Sequence, residues 1–336
     1  MTDERLAEAI RAADPYRDIV IPEPTVTAAQ LRARAESEAS ERYWYQFLQS
    51  HATRRGVIVA ASLAIGAAVT AYVFRAAPAI AAPGPLDIDF ALPPTPARDW
   101  LLSLAQSLPS QAVAAPSNSP EAGYQTTYAH YQRWSMDTIN PATELVAQDV
   151  QVWWKVDRSG DELQATLPPQ TPGRSTAEYL DKLPPGTQQR KIKYAKGEFS
   201  DLIGTPSTRP DELKTQLEQH EPSANGPQAT VRALADVATI HHLGVGQRVA
   251  ALLVLADVQG LQSRGAARDR AGRPCTALSV DSGAANSGLS RDVLLVDATG
   301  TILGHEIIAL TPPPKSRIPN ETVIEYTLSL RTEHQQ

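Results

Sequence analysis

The 336 residues carry 31 Lys and Arg against 37 Asp and Glu, a net charge of −6, with 42% hydrophobic residues and one cysteine. That composition supports a packed core, and the single cysteine, Cys275, excludes an intrachain disulfide. The acidic balance argues against nucleic acid as a partner, because phosphates demand a basic footprint.

The first 55 residues read as a short tail. A helical pattern from Leu6 to Ile10 breaks at Asp14-Pro15, and Ile19 to Val26 holds two prolines and reads as extended. From Thr27 to about Ser50 the abundance of Ala, Leu, Arg, Glu and Gln predicts helix. Tyr43, Trp44, Tyr45 and Phe47 crowd its end, as aromatics do at headgroup level or against a partner.

Residues 56–74 (GVIVAASLAIGAAVTAYVF) contain no charge and are fenced by Arg54 and Arg55 before and Arg75 after. A helix of that length spans about 28 Å, close to the hydrocarbon core of a bilayer, so residues 56–75 are expected to form one transmembrane helix. Arg42, Arg54 and Arg55 precede the span, whereas after Arg75 no basic residue appears before Arg98. The positive-inside tendency then puts the tail in the cytoplasm and the bulk of the chain outside a cell membrane. A cleaved signal peptide ending at Ala79-Ile80-Ala81 is the rival reading. Ser62, Gly66 and Thr70, four apart, leave a helix-dimer face open.

Residues 76–96 hold six prolines and read as a stiff linker. Ala97 to Leu108 has the spacing of an amphipathic helix, followed by a Pro/Ser/Asn-rich loop to about residue 123. The ordered domain is expected over 124–336. TTYAHYQRW reads as a strand, and Val150, Val152, Trp154 and Val156 alternate with Gln151, Trp153 and Lys155. Asp157-Arg158-Ser159-Gly160 supplies a turn, and Glu162 to Leu167 a returning strand. Residues 168–206 read as mostly irregular. Helices follow over Thr208–His220, with Thr208 and Asp211 in capping positions, and over Pro227–Leu243 and Gln247–Val258, broken by Gly244 and Gly246. The period then changes. Leu261–Arg268, Pro274–Asp281, Arg291–Val296, Ile302–Leu310 and Thr322–Leu330 read as strands, with turns at Asp269–Gly272 and Ala298–Gly300. Strands, then helices, then a meander predict an α+β fold, an antiparallel curved sheet of half-barrel type covered by helices.

The search for chemistry returns no catalytic constellation. Gly244-x-Gly246 follows no strand and Val249 stands where a third glycine belongs, so it is no dinucleotide loop. No HExxH, CxxC or G-x-S-x-G motif is present. His241 and His242 are adjacent, which points them apart on a helix and argues against a shared metal. Cys275 reads as a small buried hydrophobe, with an intermolecular disulfide as the alternative. Trp153 and Trp154 are expected on opposite faces of one strand; they either pack or line an apolar ligand groove. No metal or cofactor is implied.

Certain stretches resemble a family of uncharacterised actinobacterial single-pass membrane proteins. They are Trp100 to Leu108 with the strand 124–134, Val152-Trp153-Trp154 running to Gly160, Arg209-Pro210-Asp211-Glu212-Leu213, Gln247 to Val280, and DVLLVDATGTILG. The family's outer domain is similar to the lipoprotein-carrier and sigma-regulator-sensor half-barrels. Residues 168–206 fit that pattern poorly, and Val258-Gln259-Gly260 replaces its proline-glycine turn. The resemblance brings no catalytic residues. The expectation is a non-enzymatic membrane protein whose outer domain binds a lipid-like ligand or an envelope protein. The alternative is an anti-sigma-like regulator whose tail, residues 1–55, binds a cytoplasmic protein.

Overall fold

The structure, a computed structural model, describes residues 93–112, 126–136, 145–167, 186–284, 288–312 and 318–335, together with Leu86, Ile88 and Leu183. All belong to the second of the two units into which the chain divides, Phe47–Gln336. The tail and the expected span at 56–75 lie outside the described residues. Among the described residues no helix is long and apolar enough to cross a membrane.

Among the described residues ten antiparallel strands form one open sheet with four α-helices. The strands are β1 (Thr95–Pro96), β2 (Thr126–Met136), β3 (Leu145–Lys155), β4 (Gly160–Thr166), β5 (Gln189–Tyr194), β6 (Gln262–Arg268), β7 (Pro274–Ala284), β8 (Gly288–Val296), β9 (Ile302–Thr311) and β10 (Thr322–Gln335). The helices are α1 (Arg98–Ala112), α2 (Pro210–His220), α3 (Gln228–Ile240) and α4 (Val245–Ala256). The sheet order is β1-β6-β7-β8-β9-β10-β2-β3-β4-β5. Two meanders, β2–β5 and β6–β10, are therefore separated in sequence by α2–α4. They are joined through the pairing of the last strand with β2, from Glu325 opposite Ser135 to Gln335 opposite Thr126.

Three hairpins turn on the same local chemistry. Asp157, Asp269 and Asp297 each stand three residues before a glycine, and each carboxylate accepts a backbone N–H two residues on, at 2.8–3.1 Å. This Asx geometry closes the turn before any tertiary contact forms. Val156, expected to continue the inward row of β3, instead lies in the first of these turns and is 84% exposed. β3 ends one residue earlier, at Lys155, whose N–H is taken by Ser159 O.

Residues 189–194 differ from the irregular reading. QRKIKY forms edge strand β5, paired with β4 from Gly160 opposite Tyr194 to Ala165 opposite Gln189. An edge strand pairs on one side only and gains from Lys and Arg that blunt it, so its polar, exposed sequence carries no burial pattern to read. Thr208 does not cap α2. The N-cap is Arg209, which makes no side-chain cap bond, and Pro210 opens the first turn.

The helices cover one face of the sheet. α1 buries Ala97, Leu101, Ala105 and Leu108, spaced as one helical stripe, against α4. α3 buries ten of its thirteen residues, because it lies between the sheet and the other helices. Leu278, Val280, Leu294, Val296 and Ile302 of the sheet complete that core. The opposite face of the central strands is buried too: Trp134 stacks on Tyr326 at 5.9 Å, Arg270 lies 4.5 Å over the Tyr326 ring, and Arg270 pairs with Glu306 at 2.6 Å. Cys275 is a buried free thiol, and burial pushes its pKa up to about 11.

Candidate functional site

The ladder between β9 and β10 stops at Gly304 opposite Leu328. Beyond that point each strand bulges. Leu303 is the extra residue between Ile302 and Gly304 against β8, and Leu330 the extra residue between Ser329 and Arg331 against β2. Bulges redirect strands and end pairing. The two strands fork here, and a cavity of about 250 Å³ lies at the fork, between the sheet and the junction of α3 with α4.

Buried main chain at a fork must find donors outside the ladder. Arg273, just after the β6–β7 turn, reaches across: its Nη2 donates to Ser329 O at 2.6 Å and to Leu303 O at 3.4 Å, while Nε donates to Asp269 at 2.6 Å. His242 Nδ1 donates to Thr332 O at 2.8 Å. Each strand end is thus held by a side chain from another element.

The junction between helices supplies the other wall. α3 ends at Ile240, and His241 is extended, with φ −106° and ψ 137°, its N–H closing on Val237 O. The predicted helix end at Leu243 is therefore three residues too late, and the two histidines diverge for an extended-chain reason rather than a helical one. His241 Nε2 donates to Asp201 O at 2.7 Å, whereas His242 turns to β10. Burial lowers the pKa of both rings, with the hydrogen bonds to Asp201 O and Thr332 O partly opposing it. Ala238, Leu243, Ile302, Leu303 and Leu330 give the cavity apolar walls.

Three arginines line it: Arg248, Arg273 and Arg331. Among the described residues lining the cavity none is acidic. Arg331 pairs with Glu333 at 2.7 Å and Arg273 with Asp269, so these two charges are balanced from behind. Arg248, on the first turns of α4, differs. Its Nη1 donates to Leu243 O at 3.0 Å, and its buried Nε meets no acceptor among the described residues. Burial lowers the guanidinium's pKa, with Asp297 opposing at longer range.

Of the residues weighed from sequence, His241 and His242 line the cavity, and the expected groove and membrane residues do not. Trp154 points to the helical side, where its Nε1 donates to Ile240 O at 3.0 Å and its ring stacks on Phe199 at 5.5 Å. Trp153 points to the other face, beside Tyr128 at 5.1 Å. Neither lines the cavity. Tyr43, Trp44, Tyr45, Phe47, Arg54, Arg55 and Arg75 lie outside the described residues. Among the described residues no group of three or more His, Cys, Asp or Glu is placed to hold a metal ion. Arg248 and Arg273 carried no signal in the sequence, since each stands alone among neutral neighbours or in a turn; only the fork brings them together.

The chain matches no protein-family model and no curated protein. Among solved structures it shows weak structural similarity to a DUF1329 family protein from Desulfovibrio piger, at 12% identity over 71% of this chain and 93% of that one, with a TM-score of 0.19. A similarly weak likeness links it to an outer membrane lipoprotein-sorting protein domain from Vibrio parahaemolyticus, at 9% identity over 70% and 92%, with a TM-score of 0.17. A dehydratase domain from the CurF module of curacin polyketide synthase aligns at 12% identity over 72% and 85%, with a TM-score of 0.11. Likenesses of this strength carry no argument about function.

Proposed function

We propose that this chain is a non-catalytic binding protein of the cell membrane, anchored by residues 56–75, whose outer α+β domain holds a small molecule in the cavity at the β9–β10 fork. In this reading the open sheet is a half-barrel-like shell and the helices its lid. One observation carries the binding assignment. The fork is held open by Arg273 and His242, which occupy the strand ends with hydrogen bonds of their own and leave an amphipathic cavity between them. A preformed cavity with apolar walls and a few convergent polar groups is the usual form of a small-molecule site, and about 250 Å³ suits a compact ligand. The uncharged run 56–74 supports the anchoring and the acidic outer region the absence of nucleic acid.

The test uses the full chain, solubilised from membranes in detergent, and an Ala238→Phe variant that fills the cavity from α3. Native mass spectrometry should show a bound small molecule on the parent chain and lose it on the variant, with both melting cooperatively. Identical small-molecule profiles from the two chains would refute a ligand at the fork.

A further inference from the structure

We infer that the tip where the β3–β4 hairpin meets the end of β5 docks on an anionic lipid surface, with Val156 entering the headgroup layer and Lys155, Lys193 and Lys196 meeting lipid phosphates; the inference rests on the membrane anchoring proposed above. The sequence marks the region first. The chain holds seven lysines against twenty-four arginines, and five of the seven (Lys155, Lys182, Lys191, Lys193 and Lys196) fall between residues 155 and 196. Over residues 155–161 and 189–198 six cations meet three acids, in a chain whose net charge is −6. Lys155, Lys191, Lys193 and Lys196 are all exposed.

The fold gathers them. Trp153 stands opposite Asp161 and Asp161 opposite Lys193, so alternation puts Lys155, Lys191 and Lys193 on one face of the sheet. The turn after β5 then folds onto the hairpin tip. Gly197 N–H donates to Asp157 O and Phe199 N–H to Arg158 O, both at 2.9 Å, and Arg158 Nε donates to Phe199 O at 2.8 Å. The Asp157 carboxyl, lowered chiefly by its hydrogen bonds from Ser159, also feels Lys196 and Lys155, so both ammonium groups stand at the tip. Among the described residues Val156 alone of the large hydrophobic side chains stands exposed, at 84%, and it sits between these lysines.

A lone exposed aliphatic group is ordinary by itself. Ringed by lysines on a braced tip, it has the form that enters a headgroup layer: the methyls leave water, and the long lysine stems let their charges reach phosphates. Blunting of the sheet edge accounts for Lys191 and Lys193 on β5, but not for Lys155 on β3 or Lys196 in the turn. The patch is too small for a specific protein partner, whose interface covers about 800 Å² per side around apolar anchors. Near an anionic bilayer each lysine strengthens association about fivefold, and the anchor supplies the effective concentration at which so weak a contact is populated.

The test uses the full chain in nanodiscs. Cys275→Ala removes the native thiol, and an environment-sensitive dye sits on Val156→Cys or, as a control on the far side of the sheet, on Ala266→Cys. In discs of equal phosphatidylcholine and phosphatidylglycerol the dye at 156 should shift to the blue and be quenched by spin-labelled lipid, and the dye at 266 should not. Pure phosphatidylcholine should abolish the response, as should molar salt, where the screening length is about 3 Å. Lys155→Gln/Lys193→Gln/Lys196→Gln should lower the ratio of docked to undocked tip about a hundredfold, at about fivefold per lysine. A dye at 156 that reads water in both discs, a signal equal in both lipids, or one that survives the triple variant would overturn the docking. A response to polyglutamate but not to phosphatidylglycerol would assign the patch to an acidic protein and overturn it too. If alkaline carbonate strips the chain from phosphatidylcholine bilayers, the anchor fails; phosphatidylglycerol vesicles added to the stripped chain then decide the tip by the same dye. Cooperative melting of the triple variant near the parent's temperature shows that a lost response is not a lost fold.

Discussion

Arg232 of α3 and Asp292 of β8 form a two-pronged ion pair at 2.6 and 2.7 Å with almost no exposure on either side, and His305 Nε2 donates to the same carboxylate at 2.9 Å. The pair ties the central helix to the middle of the sheet. Burial alone would raise the Asp292 pKa, yet the Arg232 charge and the hydrogen bonds from His305 and Arg232 hold it at about 2. Every strong acceptor of the carboxylate is therefore met inside the protein, which is what makes so deep a charge tolerable.

Removing one partner should be far worse than removing both. Asp292→Leu or Arg232→Met should destabilise the domain by about 3–5 kcal/mol, because each strips a buried charge of its ion-pair partner. The double change Arg232→Met/Asp292→Leu should recover most of that loss. Urea unfolding of the four chains forms a complete cycle, and additive single losses would refute the pairing. The acid sign follows from the lowered carboxyl. The pair's contribution is complete above the unfolded value near 3.8 and fades as pH falls toward 2.

Trp154 closes the end of α3 by giving its indole N–H to Ile240 O, one of the carbonyls a helix terminus leaves unmet. Trp154→Phe keeps a ring against Phe199 but removes the donor. The expected loss is about 1–3 kcal/mol in chemical denaturation. Trp153→Phe, whose ring sits half-buried on the other face, should cost less. Equal costs for the two substitutions would show that the N–H is not what matters.

The sequence carried most of the ladder and little of the cavity. Alternation placed β3 and put Trp153 and Trp154 on opposite faces, and turn residues at Asp157–Gly160, Asp269–Gly272 and Ala298–Gly300 located three hairpins, because both signals are local. The fork depends on where β10 parts from β9 while its other edge stays paired with β2, and those pairings join residues far apart in sequence. Nothing around Leu303 or Leu330 announces a bulge, since both read as ordinary alternating hydrophobes. Arg232, Asp292 and His305 are likewise scattered through 74 positions, and only the topology makes them neighbours. β5 escaped notice for the opposite reason: it buries so little that no pattern was needed.

Gly300 carries the strictest backbone demand near the cavity. Its φ is +73°, and an added Cβ would lie 2.9 Å from Leu108 Cδ1 and 3.1 Å from Leu252 Cδ1. Gly300→Ala combines left-handed strain with overpacking against two helices. A loss of about 1–3 kcal/mol is expected. Urea unfolding of the parent and the variant measures it, and an unchanged free energy would refute the packing argument. Gly272→Ala is the control: it has φ +77° but nothing within 4 Å of its Cβ, so it should show the strain alone.

His241 gives the domain a pH-dependent stability. Its ring is buried, burial lowers its pKa below 6.5, and Nε2 already donates to Asp201 O. The unfolded chain thus takes up a proton that the folded chain resists. The contribution of the neutral ring is complete above 6.5 and is lost as pH falls through that value, at up to about 1.4 kcal/mol per pH unit for a fully mismatched proton. His242 and His334 are shifted in the same direction, also chiefly by burial, and add to the slope. His241→Gln keeps a donor for Asp201 O and removes the titration. Unfolding free energies at pH 7.5, 6.5 and 5.5 should therefore fall less steeply in the variant than in the parent. The Asp292 pair does not interfere, since its own loss begins only below about 4. Parallel slopes in the two chains would mean that His241 is as readily protonated in the folded domain as in the unfolded chain.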